Sequence, residues 1–190
     1  LLIRVLAEGF ISLKTYWVEV VAILAVLTML GGNVLAYTQR NIKRMLAYSS
    51  IAHTGYLLTG LTALALQPGN EAVSALLYYL LIYVLSSLGI FAALTWLSSQ
   101  NEALVQISDL AGLGKKYPLT ALGLALLFFS FIGIPPMGGF FAKYYLFLTT
   151  LKAHQTFLVG VALLASILSI VYYLKIVMVM YMEPLAEHWE

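Results

Sequence analysis

One lysine stands alone in a long apolar tract. Lys143 is the single charge between Lys116 and Lys152, and its head group cannot easily snorkel to water. A lysine at the centre of a membrane helix costs about 2.5–3.5 kcal/mol to insert, so it reads as functional unless a structural ion pair explains it. No carboxylate of this sequence falls mid-span, so a partner for such a pair would have to come from elsewhere. The chemistry open to an isolated lysine is proton exchange. An ammonium can give up and regain a proton, which a guanidinium does not do.

The tract that carries Lys143 is interrupted at Gly133-Ile134-Pro135-Pro136-Met137-Gly138-Gly139. Proline lacks the backbone N–H and clashes with the preceding turn, so two in succession cannot continue a helix. Non-helical backbone at membrane depth is tolerated only where it is buried in protein or lines a watery cavity. Residues 133–139 are therefore expected to be non-helical between two helical flanks, with Gly133, Pro135, Pro136, Gly138 and Gly139 forming the break. Transporters use such discontinuous helices to build ion sites from half-helix ends. Lys143 follows the break by four residues, and the positive N-terminal end of the second half-helix is expected beside it.

Weaker candidates for a proton path come from polar spacing. Tyr79, Tyr83, Ser86 and Ser87 share one helix face, and Ser166, Ser169 and Tyr173 share another. Hydroxyls so spaced either carry a water chain or satisfy neighbouring helices, and packing is their commoner use. His53, with Ser49 and Ser50 one turn before it, is expected about one turn into a span. There an imidazole can shuttle protons or serve as a hydrogen-bonded packing residue near the interface. Lys175 lies seven residues before the end of the last span and can snorkel. His154 and His188 fall in a loop and a tail. No nucleotide-binding loop, metal-ligand spacing or nucleophile–base arrangement occurs. No catalytic, cofactor-binding or metal-binding residue is therefore expected in this chain.

These residues need a scaffold that can bury them. Of 190 residues, 62% are apolar and 9% charged, whereas ordinary soluble domains carry about 25% charged residues. The mean hydropathy is +0.94. A transmembrane helix needs about 20 mainly apolar residues. Spans are expected over 17–37, 45–66, 73–97, 118–152 (broken at 133–139) and 156–182, after a partial span at 1–10. The expected fold is all-α, a polytopic transmembrane helix bundle with one discontinuous helix. The chain opens on Leu within an apolar stretch and is expected to be a piece of a longer protein.

Arg40, Lys43, Arg44, Lys115 and Lys116 lie in loops on one side, and Lys14 and Lys152 lie on the other. That bias assigns loops 38–45 and 98–117 to the cytoplasmic or equivalent side. Tyr16, Trp17, Tyr37, Trp96, Tyr117 and Tyr181 sit at span ends, as interfacial aromatics do. Segment 98–117, with Gln100, Asn101, Glu102 and Asp109, is the sizeable polar loop and has room for a short interfacial helix. Thr28, Gly32 and Ala36 form a small-residue face suited to close helix packing. The net charge of +2 is scattered, leaving no patch for nucleic acid. The absence of cysteine removes disulfide, iron–sulfur and thiol chemistry from this segment.

Two stretches resemble a known family. Gln39-Arg40-Asn41-Ile42-Lys43-Arg44-Met45-Leu46-Ala47-Tyr48-Ser49-Ser50-Ile51-Ala52-His53-Thr54-Gly55-Tyr56 is similar to a loop-to-helix segment of the antiporter-like membrane subunits of respiratory complex I. The run from Gly133 to Lys143 resembles their broken helix, and Ser49-Ser50-Ile51-Ala52-His53 looks most like the subunit N branch (subunit 2 in mitochondrial and chloroplast naming). The resemblance extends over the whole chain. It implies a fold of fourteen core helices in two inverted five-helix repeats, of which this chain would hold helix 8 to helix 13. It also implies proton translocation coupled to electron transfer from NADH to quinone, with Lys143 matching the lysine of the broken helix. The family's helix 5 carboxylate and helix 7 and 8 lysines would precede this chain. NADH, FMN, iron–sulfur clusters and quinone would belong to other subunits. The implied partners are other membrane subunits and the lipid bilayer, and the implied location is a bacterial inner membrane or an organellar energy-transducing one. The runner-up is a cation/proton antiporter subunit or a related membrane-bound hydrogenase or dehydrogenase complex.

Overall fold

In the computed structural model, residues 5, 9, 10, 13–100 and 105–186 are described. The expected partial span over 1–10 falls mostly outside them, as do Asn101, Glu102 and His188. Among the described residues seven α-helices follow one another: α1 Lys14–Tyr37, α2 Ile42–Leu66, α3 Asn70–Gln100, the single turn α4 Leu113–Lys116, α5 Pro118–Ile132, α6 Gly138–Lys152 and α7 Thr156–Met182. No strand occurs among the described residues, and the all-α polytopic plan with one discontinuous helix is what the sequence predicts.

Helices α1, α3 and α7 are long and apolar enough to cross a membrane. Ile23, Leu27, Leu81, Leu88, Leu164 and Ile167 leave their outer faces exposed. So much apolar surface suits hydrocarbon and not water. Helix α2 differs. It packs against α1, α3, α6 and α7, and it buries Ser49, His53, Thr59 and Thr62. It is the inner helix of the bundle, and its polar groups face neighbouring protein. At the α1–α2 seam a Cβ on Gly32 would lie 2.7 Å from the Ala52 nitrogen. The small-residue face of α1 is thus where the two backbones touch.

Local chemistry sets the helix ends. Asn41 caps α2, its side chain accepting from the Arg44 N–H at 3.0 Å, as asparagine does at this position. Pro118 opens α5, where its missing N–H costs nothing. The polar loop before it holds a 3-10 turn, Ile107–Leu110, which together with α4 buries Ile107, Leu110 and Leu113 against the bundle. Asp109 organises this loop by accepting from the backbone of Val105 and Gln106. The loop is laced to the α1–α2 connection by Ile42 N to Val105 O and Ile107 N to Arg40 O. Arg40, Lys43, Arg44, Lys115 and Lys116 all stay exposed at this end. At the other end Lys152 pairs with Glu71 at 2.5 Å, both side chains exposed.

Candidate functional site

Helix α5 ends at Gly133, which takes the left-handed conformation at φ 88°. Its N–H and that of Ile134 both return to the Phe129 carbonyl, an arrangement glycine makes at helix C-termini. Pro135 and Pro136 follow, joined by a cis bond. Here the prolines have a second effect. They stand four residues after Phe131 and Ile132, where a continuing helix would supply the N–H groups that those two carbonyls accept. Neither proline has one, so both carbonyls are left without helical donors at the end of α5.

Lys143 takes them. Its Nζ donates to Phe131 O, Ile132 O and Ser166 Oγ, each at 2.9 Å. An ammonium has three protons, and all three are used. The side chain is 6% exposed, and Nζ stands 5.2 Å from the centre of the Tyr56 ring, within cation–π range. Among the described residues no carboxylate pairs with it. The charge is therefore held by dipoles at the negative end of α5. The expectation from the sequence named only the positive end of the second half-helix beside Lys143 and not these carbonyls. The side chain reaches back across the break, one turn into α6, and meets carbonyl oxygens.

The break is also shorter than the sequence predicts. Gly133, Pro135 and Pro136 lie in it, but Gly138 and Gly139 open α6. Their role is proximity. A Cβ on Gly139 would stand 1.7 Å from the Ser130 carbonyl oxygen, so only glycine lets the start of α6 lie against the end of α5. The Gly139 N–H donates to Ser130 Oγ at 3.1 Å. Ser130 in turn lies 3.5 Å from Ser86 Oγ, so the weak candidate Ser86 is tied to the break from α3.

His53 is not near an interface. It lies about three turns into α2 and is 4% exposed. Its Nδ1 is 2.8 Å from the Tyr79 hydroxyl and its Nε2 is 3.2 Å from that of Tyr173. Tyr173 also hydrogen-bonds Ser49. The interface placement fails because His53 stands eleven residues past Ile42, the first residue of α2, and because the bundle encloses the helix. Tyr83 lies beside His53, ring centres 4.9 Å apart and planes tilted by 31°. His53, Tyr79, Tyr83, Ser130 and Lys143 line one cavity of about 10 Å³, the size at which a single water begins to fit. Lys175 is not brought to this cluster. It is exposed on the outer side of α7. A cavity of about 620 Å³ around Glu71, Tyr78, Tyr145 and Lys152 shares no residue with the Lys143 site.

Sequence reasoning missed Ser130, Tyr56, Asn33 and Tyr172. Ser130 precedes the break by three residues and Tyr56 follows His53 by three, so helical spacing placed both on relevant faces. Asn33 is the lone amide in the span of α1, a signal available from composition alone.

Fold and site together define the class: a polytopic membrane helix bundle whose discontinuous helix buries a lysine. The chain belongs to the NADH:quinone oxidoreductase/Mrp antiporter transmembrane family, whose pattern matches residues 1–169. It is 42% identical over 187 residues to an NADH-quinone oxidoreductase subunit N of Chloroflexus aggregans, covering 98% of this chain and 38% of that protein. Among solved structures it is similar to a chain of respiratory complex I from Thermus thermophilus with bound aureothin. The TM-score there is 0.75 at 34% identity, over 87% of this chain and 36% of that one. A chain of the Mrp complex from Dietzia sp. DQ12-45-1b matches with TM-score 0.85 at 27% identity, over 96% of this chain and 33% of that one. This chain therefore spans about a third of the length of these relatives.

Proposed function

We propose that this chain is part of the subunit N of an NADH-quinone oxidoreductase, in which Lys143 carries protons during translocation driven by electron transfer from NADH to quinone. The observation that carries this reading is the coordination of Lys143. A buried ammonium is held by two carbonyls that the prolines set free and by one hydroxyl, with hydroxyls and an imidazole around it. A structural lysine would be expected to meet a carboxylate, since an unpaired buried charge is costly. A proton carrier needs partners that tolerate both of its states.

Those partners differ. A carbonyl can only accept, whereas a serine hydroxyl can accept from an ammonium or donate to the lone pair of an amine. Loss of a proton from Lys143 is accommodated by a turn of Ser166, while Phe131 and Ile132 keep the amine in place. His53, Tyr83 and Ser86 line or support the polar surroundings of the lysine, and Lys175 has no part in them. On this reading the flavin, iron–sulfur and quinone chemistry is done by partner subunits. The chain works beside other membrane subunits in a bacterial inner membrane.

The test is Lys143→Ala in the full-length subunit, within the intact complex reconstituted into vesicles. Proton translocation coupled to quinone reduction should be lost with assembly retained. Lys143→Arg should not restore it, and Lys175→Ala should leave it near the wild-type rate. An assembled Lys143→Ala complex that translocates normally removes Lys143 from the path. The likeness to the Mrp chain supports a second reading, a subunit of a cation/proton antiporter or of a related membrane-bound hydrogenase or dehydrogenase complex. Exchange driven by a sodium gradient without NADH would favour it.

A further inference from the structure

At the end of the bundle away from Arg40, Lys43 and Arg44, two cross-bridges join α3 to α6. Glu71 of α3 pairs with Lys152 of α6. Seven residues further into the bundle on each helix, Tyr78 and Tyr145 meet edge to face, ring centres 6.2 Å apart. Seven residues of helix rise about 10 Å, which sets the spacing of the two bridges. Between them lies the cavity of about 620 Å³, walled by Ser74 and Leu148. Ser74 and Tyr145 are exposed, so this cavity opens sideways. On the other side of the ion pair, toward the α2–α3 connection, lies a second cavity of about 250 Å³, lined by Gln67, Asn70 and Thr149. Glu71 and Lys152 line both cavities and divide them, the larger one mainly apolar and the smaller one polar.

The depth of these features is set by α3. Its 31 residues extend about 46 Å, slightly more than the roughly 40–45 Å of a bilayer with its headgroups. Glu71 is the second residue of the helix, so the ion pair stands at headgroup level. The tyrosine pair stands about 10 Å deeper, beside the upper part of the acyl chains.

Polar cavity, paired opposite charges and apolar cavity follow one another in the order of the parts of a phospholipid. We propose that this site between α3 and α6 binds a zwitterionic phospholipid with a primary amine in its headgroup, the phosphate on Lys152, the ammonium on Glu71 and an acyl chain in the larger cavity. Both side chains of the ion pair are exposed, Lys152 by 49% and Glu71 by 74%. An exposed pair adds little stability, so it opens readily to a headgroup that carries the same two charges. The pair has no net charge and suits a lipid that has none, whereas an anionic headgroup would meet the Glu71 carboxylate. A primary ammonium donates charge-assisted hydrogen bonds to a carboxylate. A quaternary ammonium has no N–H to donate and is recognised by aromatic faces, and the two tyrosines stand too deep to supply them. A partner helix, about 10–12 Å across, cannot lie along a groove bridged at both ends, but a lipid tail enters it from the side.

The test uses the full-length protein in its native complex, reconstituted into phosphatidylcholine vesicles. A small fraction of the lipid carries a photoreactive diazirine in one acyl chain and is phosphatidylethanolamine, phosphatidylcholine or phosphatidylglycerol. Adducts are mapped by mass spectrometry, and labelling of Tyr78 and Tyr145 is taken relative to the adducts summed over the whole complex. Phosphatidylethanolamine should label the two tyrosines severalfold more than either other lipid. Glu71→Gln, which keeps the shape of the side chain and removes its charge, should abolish the preference over phosphatidylcholine. Lys152→Ala should reduce labelling by both lipids. Both positions are exposed, so assembly and the thermal midpoint should stay near wild type in both variants. Equal labelling by the three lipids, or none at the tyrosines, would mean that bulk lipid or another protein chain fills the groove, and either result overturns the proposal. So does a preference for phosphatidylglycerol, or a preference for phosphatidylethanolamine that survives Glu71→Gln. The readout involves no proton movement and is independent of the role of Lys143.

Discussion

Replacing Lys143 by methionine separates its role in holding the fold from its role in moving protons. Methionine keeps most of the length and volume of the side chain and removes the charge and all three donors. Two buried carbonyls, Phe131 and Ile132, then lose their partner. Leaving a buried acceptor unsatisfied costs about 1–3 kcal/mol each. Against this, the charged group no longer has to be buried, which returns about 2.5–3.5 kcal/mol. Ser166 is part-buried and can turn to another acceptor. The net change is between about −1.5 and +3.5 kcal/mol. Breaking a true buried ion pair would instead cost about 3–5 kcal/mol, because a carboxylate would be stranded. Lys143→Met is therefore expected to assemble, to unfold thermally near the wild-type midpoint and to fail in proton translocation. The assay pairs a thermal-shift measurement on the purified complex with acidification by reconstituted vesicles. Failure to assemble would mean that the lysine is a structural pin with a partner elsewhere in the longer protein. Normal acidification would mean that its charge is irrelevant to function.

Two further substitutions probe the scaffold. Gly139→Ala places a Cβ 1.7 Å from the Ser130 carbonyl oxygen, so α5 and α6 must separate. The cost is about 1–3 kcal/mol or more of overpacking, seen as poor assembly or a lowered unfolding midpoint, while Gly123→Ala, with open space around it, should be tolerated. Asn41→Ala removes the cap of α2 and should cost about 1 kcal/mol. Thermal unfolding should register that loss while translocation by the assembled complex stays near wild type.

The legible part of this protein was its apolar blocks and its breakers. Long runs without charge can be read as spans because the bilayer imposes both their length and their composition, and Pro135-Pro136 can be read as an interruption because the missing N–H is a covalent fact. The direction of Lys143 was not legible. Spacing put it one turn into α6, from which either half-helix end was within reach of a flexible side chain. Only the tertiary path of the break shows that the freed carbonyls lie under its ammonium, although the four-residue offset from Phe131 and Ile132 to the two prolines was present in the sequence. His53 was misplaced for a different reason. Its depth depends on which helices surround α2, and one helix face does not announce how many neighbours will cover it. The roles of Gly138 and Gly139 were likewise ambiguous, since glycine serves both irregular backbone and close approach. Asn33, Tyr56 and Tyr172 come from three separate helices, and their meeting is a product of packing alone.

The enclosure of α2 bears on how the chain is made. Its polar residues Ser49, His53, Thr59 and Thr62 are sheltered in the finished bundle, but during synthesis none of their later neighbours from α3, α6 or α7 has yet emerged. A helix with that many inward polar groups partitions poorly into lipid by itself. The neighbour already made is α1, which directly precedes α2, is strongly apolar and is joined to it by only residues 38–41. The Gly32 contact lets the two lie flush as soon as both exist. Helix α1 thus escorts α2 out of the insertion machinery, and the small-residue seam between them is as much an instruction for biogenesis as a feature of the mature bundle.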